Sequence, residues 1–221
     1  MKRELVSIAI IVLMVFTVLG TTAVTATPTN TATNQNPIYM VTPGMPSVWI
    51  SPFFNYQGPG TYASAPSVTA TAHASGWGQL TTTVRAVASG TTGNSVCGDG
   101  VAWYLNPHVN WNAVKNEPVL VKALVSYKLS GSGSGAAGSL VELMGPNGNH
   151  QLIIAASGPP SYSVNQQPKM IEWKTTLGSL ATQPGQGYLI VTAFGTVVGA
   201  NGGITQSSTQ VMVYSLALQW T

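Results

Sequence analysis

A period of two runs through most of this chain, and no stretch beyond its first two dozen residues repeats at helical spacing. In "VLVKALVSYKL", Val119, Val121, Ala123, Val125, Tyr127 and Leu129 share one face; Leu120, Lys122, Leu124, Ser126 and Lys128 share the other. "PSVTATAH" and "QLTTTVRAVA" alternate in the same way with Thr and Val, and "KMIEWKTTL" sets Ile171, Trp173, Thr175 and Leu177 against Glu172 and Lys174. "GYLIVTAFGTVV" is apolar on both faces, as a central strand is, and "TQVMVYSLALQW" aligns Met212, Tyr214, Leu216, Leu218 and Trp220. Asn147-Gly148, between "SLVELM" and "HQLIIAA", is a hairpin signal. About ten short strands joined by Gly-, Pro- and Asn-rich connections predict an all-β protein, an antiparallel β-sandwich of jelly-roll type.

The surface of that sandwich must be unusual. Of 221 residues only 6% are charged, while 44% are hydrophobic, an ordinary share. Soluble domains carry roughly 25% charged residues. Thr, Ser, Gly, Asn and Gln therefore take the place of charge around a normal core. With so few carboxylates, few groups can destabilise the fold on protonation, which predicts an acidic extracellular setting. No basic stripe interleaves with aromatics, so nucleic acid is not an expected partner. No Asn-x-Ser/Thr sequon occurs.

Export is predicted from the first residues. Lys2 and Arg3 precede the apolar run Leu5–Leu19, and "TTAVTA" follows with small residues, a secretory signal ending at Ala26 or Ala23. At 1.5 Å per residue the apolar run spans roughly 22 Å, short of a hydrocarbon core of ~30 Å. If it stays uncut, it is a membrane anchor. Removal of residues 1–26 leaves six basic and four acidic residues and takes the net charge from +3 to +2. Cys97 is the single cysteine, so an intrachain disulfide is excluded, and a buried thiol is the expectation.

Three segments follow from this: a signal or anchor over 1–26, a polar tail and Pro-broken arm over 27–62, and a sandwich over 63–221. "TPTNTATNQNP" is low-complexity. "IYMVTPGMPSVWISPFFNYQGPGTY" is apolar and aromatic but interrupted by Pro43, Pro46, Pro52 and Pro59, which suits an extended edge segment and not a central strand.

Catalytic and nucleotide readings find little support. Gly133, Gly135 and Gly138 spell G-x-G-x-x-G, but "SLVELM" is too short for the helix that would aim at a pyrophosphate, and residue 153 is Ile. The run is expected to be a loop between strands. "NSVCGDGVAWYLNPHVNW" gathers Cys97, Asp99 and His108, yet "CGDG" reads as a turn and no positive charge neighbours Cys97. His73, His108 and His150 lack metal-ligand spacing. Glu142 and Glu172 lie in strands and read as solvent-facing, and no G-x-S-x-G elbow occurs. No enzyme activity, metal or cofactor is expected.

The order of "VSYKL", "LVELMGPNGNHQLII", "IEWKTTL", "QPGQGYLIVTAF" and "VMVYSLALQW" resembles the galactose-binding-like jelly-roll modules of secreted proteins, over somewhat under half the chain. The resemblance implies sugar binding and often a structural calcium; this chain lacks the clustered carboxylates that calcium takes. No sugar-contacting position transfers residue by residue. The layout of signal, arm and low-charge β head also resembles archaeal thread-like surface filament subunits, and its composition that of virion subunits from acidic hot springs.

Two functions are thus anticipated. One is a non-catalytic structural or adhesive subunit of a filament, envelope layer or virion exterior, homo-oligomeric or polymeric, assembling through Ile38, Tyr39, Val41, Val48, Trp49, Ile50, Phe53 and Phe54 of the arm as an added strand. The alternative is a carbohydrate-binding module stacking glycans on Trp77, Trp103, Tyr104 and Trp111. The competing reading of those rings is that they cap the sandwich ends.

Overall fold

The computed structural model describes residues 39–41, 60–75, 78–104, 108–158, 161–183, 186–200 and 203–221. The strands are β1 (Tyr39–Val41), β2 (Gly60–Ala63), β3 (Val68–Ser75), β4 (Gln79–Ala86), β5 (Thr92–Tyr104), β6 (Pro118–Ser132), β7 (Ala136–Met144), β8 (His150–Gly158), β9 (Ser161–Thr176), β10 (Ala181–Gln183), β11 (Gln186–Val198) and β12 (Thr205–Trp220). One four-residue helix, α1 (Trp111–Val114), sits between β5 and β6, its Asn110 side chain accepting from the Asn112 N–H.

The first sheet runs β3-β4-β12-β6-β9 and the second β2-β5-β11-β7-β8. Strands β4-β12-β6-β9 of one face β5-β11-β7-β8 of the other, so from β4 to β12 the chain crosses between layers at each step except within the β7–β8 and β10–β11 pairs, in jelly-roll order. All pairings on these two paths are antiparallel. β1 is the exception: it pairs in parallel with β12, Tyr39 against Leu216 and Val41 against Leu218, beyond the stretch of β12 that β4 covers.

Alternation places the core as the sequence predicts over β6, where Val119, Val121, Ala123, Val125, Tyr127 and Leu129 are all buried. They pack on Val101, Trp103, Val141, Leu143, Leu189, Val191 and Ala193 of the second sheet. On β12 the expected face fails halfway. A bulge between Val213 and Ser215 inserts one residue, so Val211, Val213, Leu216 and Leu218 point inward while Met212 and Tyr214 point out. Met212 and Tyr214 therefore do not share a face with Leu216 and Leu218.

"CGDG" is not a turn. It lies inside β5, where Cys97, Gly98, Asp99 and Gly100 pair in step with Ala193, Thr192, Val191 and Ile190 of β11. Gly100 is there because Ile190 occupies the space a side chain would need: a Cβ on it would overlap Ile190 and the Leu189 carbonyl. Cys97 and Asp99 point inward and are buried.

The N-terminal half of β12 brings hydroxyls into the core: Thr205, Ser207 and Thr209 are buried. Ser207 donates to the Gly138 carbonyl at 2.6 Å, Thr209 to the Phe194 carbonyl at 2.8 Å, and Thr205 Oγ1 accepts from the Gly135 N–H at 2.9 Å. Ser139 Oγ meets Tyr162 Oη at 2.8 Å and Ser207 Oγ at 3.1 Å. Each of these bonds crosses between sheets or ties a sheet to its end loop, and each has a specific partner, so they fix how one layer sits on the other.

The glycine run is the β6–β7 connection at one end of the sandwich, with Gly133 at φ +131°. It packs against the β11–β12 connection, where a Cβ on Gly133 would overlap the backbone of Ile204 and Thr205. No helix follows it. The Asn147-Gly148 hairpin forms through a single 3-10 turn, Pro146–Gly148, with Gly148 at φ +76°.

Candidate functional site

The outward face of the first sheet is a grid of polar groups, most of them neutral. Three cross-strand rungs follow from the registers. The first holds Thr69, Arg85, Gln206, Ser132 and Ser161; the second Thr71, Thr83, Ser208, Ser130 and Ser163; the third His73, Thr81, Gln210, Lys128 and Asn165. Every one of these residues is exposed or half-buried, because their sequence neighbours point into the core. With strands ~4.8 Å apart and same-face residues ~6.8 Å apart, the grid covers roughly 19 by 14 Å. Arg85 and Lys128 are its two cations, and no carboxylate stands on it.

Below the third rung the bulge turns Tyr214 outward, 44% exposed. Its hydroxyl lies 3.2 Å from Ser126 Oγ, which holds the ring beside Met212. Further along, Lys122 and Glu172 form a surface ion pair at 3.8 Å. Hydroxyls and amides both donate and accept, so the face suits a polyhydroxylated or amide-bearing ligand lying flat on it, with Tyr214 offering an apolar ring face at its border.

The second sheet turns out a different surface. Phe194 and Leu140 form an apolar cluster there with Val96 and Ala155. Beside it stands Glu142, which the sequence reading put in solvent and which is buried. Its Oε1 accepts from Thr192 Oγ1 at 3.4 Å. Burial pushes the Glu142 carboxyl above the usual carboxylate range, against smaller opposing effects of His150 and the Thr192 hydroxyl.

The expected aromatic platform does not assemble. Trp103 is 1% exposed, its ring lying over Gly187 across β11, so it has no face to offer a sugar. Trp111, on α1, is half-buried and packs against the main core. Both close the end of the sandwich that carries α1 and the 3-10 turn Leu177–Leu180, where Leu177 N–H donates to the Glu117 carbonyl. Trp77 lies outside the described residues; Tyr104 ends β5, and its side chain is likewise outside them. Of the arm, Tyr39 and Val41 stand in β1, and Ile38, Val48, Trp49, Ile50, Phe53 and Phe54 lie outside the described residues.

The cysteine site also resolves structurally. Cys97 Sγ donates to the His73 carbonyl at 3.3 Å, and burial pushes its thiol up to about 11, the opposite of an activated nucleophile. His108 is exposed. Among the described residues no three His, Cys, Asp or Glu side chains come together as a metal site. No helix among them is long and apolar enough to cross a membrane; Leu5–Leu19 is not among them.

The grid was missed because the sequence displays its rows only one strand at a time. "TTTV" and "QSSTQ" carry the period-two hydroxyls, but only register shows that Thr71, Thr83, Ser208, Ser130 and Ser163 form one line.

No family model and no curated protein matches the chain. Among solved structures it has a weak likeness to TmCBM61 in complex with β-1,4-galactotriose, at a TM-score of 0.24 and 10% identity, covering 74% of this chain and 88% of that one. A family 11 carbohydrate-binding module from Clostridium thermocellum, in complex with a β-1,3-1,4-mixed-linked tetrasaccharide, gives 0.20 and 13%, covering 72% and 88%. A family two carbohydrate esterase from Cellvibrio japonicus gives 0.16 and 12%, covering 73% of this chain and 35% of that one. At these scores the likeness carries no argument about function; the jelly-roll assignment rests on the strand order above.

Proposed function

We propose that this protein is a non-catalytic extracellular contact protein that binds carbohydrate on the outward face of its first sheet. The observation that carries this reading is the fifteen-position grid, polar throughout and free of carboxylates, five strands wide. Sugars present closely spaced hydroxyls without charge, and a surface of fixed hydroxyls and amides can satisfy them in both directions. The site differs from the one anticipated in the sequence: hydroxyls and Tyr214 take the place of Trp103 and Trp111. Affinity electrophoresis and a glycan array on the full chain test it. Binding is expected to one or more neutral polysaccharides and to fall at least tenfold, about 1.4 kcal/mol, in Ser208→Asp, which puts a carboxylate at the grid's centre. An array without hits overturns the reading, as does a Ser208→Asp variant that folds and binds unchanged.

A second reading, a structural subunit assembling through its arm, is favoured by β1. Its parallel pairing with Leu216–Leu218 extends a sheet edge that β4 leaves free, and the same pairing made between copies would link them. Deleting residues 27–41 and looking for polymers by electron microscopy tests it: polymers are expected from the full chain and not from the truncated one. Absence of polymers in both, or their persistence in both, removes this reading.

A further inference from the structure

The outward face of the first sheet changes character below its third rung. The next same-face positions carry Met212 on β12 opposite Ser126 on β6, and then Leu124 on β6 opposite Met170 on β9. The bulge adds Tyr214 to this band, between the positions opposite Val125 and Leu124. Met170 is 47% exposed and Tyr214 44%, while Leu124 and Met212 are half-buried. An apolar band therefore lies across three strands, on a face whose three polar rungs carry no aliphatic or aromatic hydrocarbon of their own beyond the His73 ring. The band is narrow, since the next rung beyond it holds the Lys122–Glu172 ion pair.

One hydroxyl pair stands where grid and band meet: Ser126 Oγ and Tyr214 Oη, 3.2 Å apart. Together the two hydroxyls have two protons to donate. The bond that joins them uses one, which leaves one O–H to donate and lone pairs to accept. A secondary amide takes that remainder on both sides, its carbonyl accepting and its N–H donating. Apolar groups flank an amide held there: Met212 across the sheet, Leu124 one same-face position (~6.8 Å) along β6, and Met170 diagonal to the pair. A methyl on the amide carbon then lies on the band. A sugar without such a methyl occupies the grid and leaves the band in water, so the band adds nothing to its binding.

We propose that the glycan bound on this face carries acetamido groups, and that Ser126, Tyr214, Leu124, Met170 and Met212 form the subsite for one of them. The inference rests on the carbohydrate reading of the grid and narrows it: the grid takes ring hydroxyls, the hydroxyl pair takes the amide, and the band takes its methyl. An acetamido group fits better than an O-acetyl ester, which has no N–H to give and leaves the accepting side of the pair unused. A lipid or an apolar protein surface needs a wider band than one bounded by the third rung on one side and an ion pair on the other.

Titration calorimetry on the full chain with matched oligomers tests this. β-1,4-linked hexamers of N-acetylglucosamine and of glucose share a backbone and differ in the acetamido group. The acetylated hexamer is expected to bind at least roughly tenfold more tightly, the discrimination of a site that both buries a methyl and pairs an amide. With Leu124→Ser and Met170→Ser together, that ratio is expected to fall at least roughly threefold. Leu152→Ser removes a similarly exposed side chain from β8 of the second sheet and is expected to keep the ratio. Should the double variant not fold, Met170→Ser alone is read in the same way. Equal affinity for the two hexamers, or tighter binding of the glucose one, overturns this inference and leaves the carbohydrate reading standing. A ratio that survives the band substitutions, or that Leu152→Ser lowers as much, also overturns it. Binding of neither hexamer overturns it too, and the glycan array then decides the carbohydrate reading by itself.

Discussion

Glu142 shows how much one misplaced carboxyl changes the chemistry of a low-charge protein. It points outward from β7, yet it is buried beside Thr192, and burial holds its folded-state pKa above the ordinary carboxylate value. A raised folded pKa means that the folded state holds its proton more tightly than the unfolded one. The favourable contribution is therefore complete below the ordinary carboxylate pKa and is lost as pH rises through the elevated one. Acidification from neutral pH is thus expected to strengthen the fold at this residue. Glu142→Gln should raise the unfolding midpoint at neutral pH by roughly 2–4 °C and should flatten the wild-type gain on moving from neutral to mildly acidic buffer. Thermal melts of both proteins across that range check the prediction, and a Glu142→Gln variant that keeps the full gain would contradict it.

At the scale of the element, β12 carries the most information. Its first half points Thr205, Ser207 and Thr209 into a bonded seam, its second half points aliphatics inward, and the bulge between Val213 and Ser215 lets one strand do both while turning Tyr214 to solvent. Simple alternation puts Tyr214 and Leu216 on one face, as the sequence reading did; the extra residue of the bulge moves Leu216 to the face opposite Tyr214. The difference is measurable. Leu216→Ala should cost about 2–5 kcal/mol in urea unfolding as a buried large-to-small change, whereas Tyr214→Ala should stay within about 1 kcal/mol. Equal costs would mean that the bulge is misplaced. β5 teaches the same lesson in reverse. Its Gly98 and Gly100 read as turn residues in isolation, but both are strand residues, and Gly100 is shaped to Ile190, ninety positions away in the chain.

For the molecule as a whole, the consequential property is the contrast between faces. One sheet shows water a polar grid without carboxylates, and the other buries a second apolar surface. A net charge of +3 over 221 residues leaves little long-range field. Carbohydrate binding through the grid should therefore be nearly insensitive to salt, changing less than about twofold between 50 mM and 500 mM NaCl, since no Debye-screened attraction drives it. A steep loss of affinity with salt would instead place Arg85 and Lys128 at the centre of recognition and point to an anionic glycan.

The chain by itself determined the all-β class, the jelly-roll type, the inward faces of β6 and β9 and the loop character of the glycine run. Each of these depends on alternation or on local turn chemistry, which a strand carries in its own residues whatever it pairs with. Tertiary structure alone decided which hydroxyls line up into rungs, that Trp103 and Trp111 pack into the core, where β12 changes face, and that Glu142 is buried. Those are properties of register and stacking. Alternation gives each strand two possible faces, and only its partners across the sheet and across the core select what each face meets.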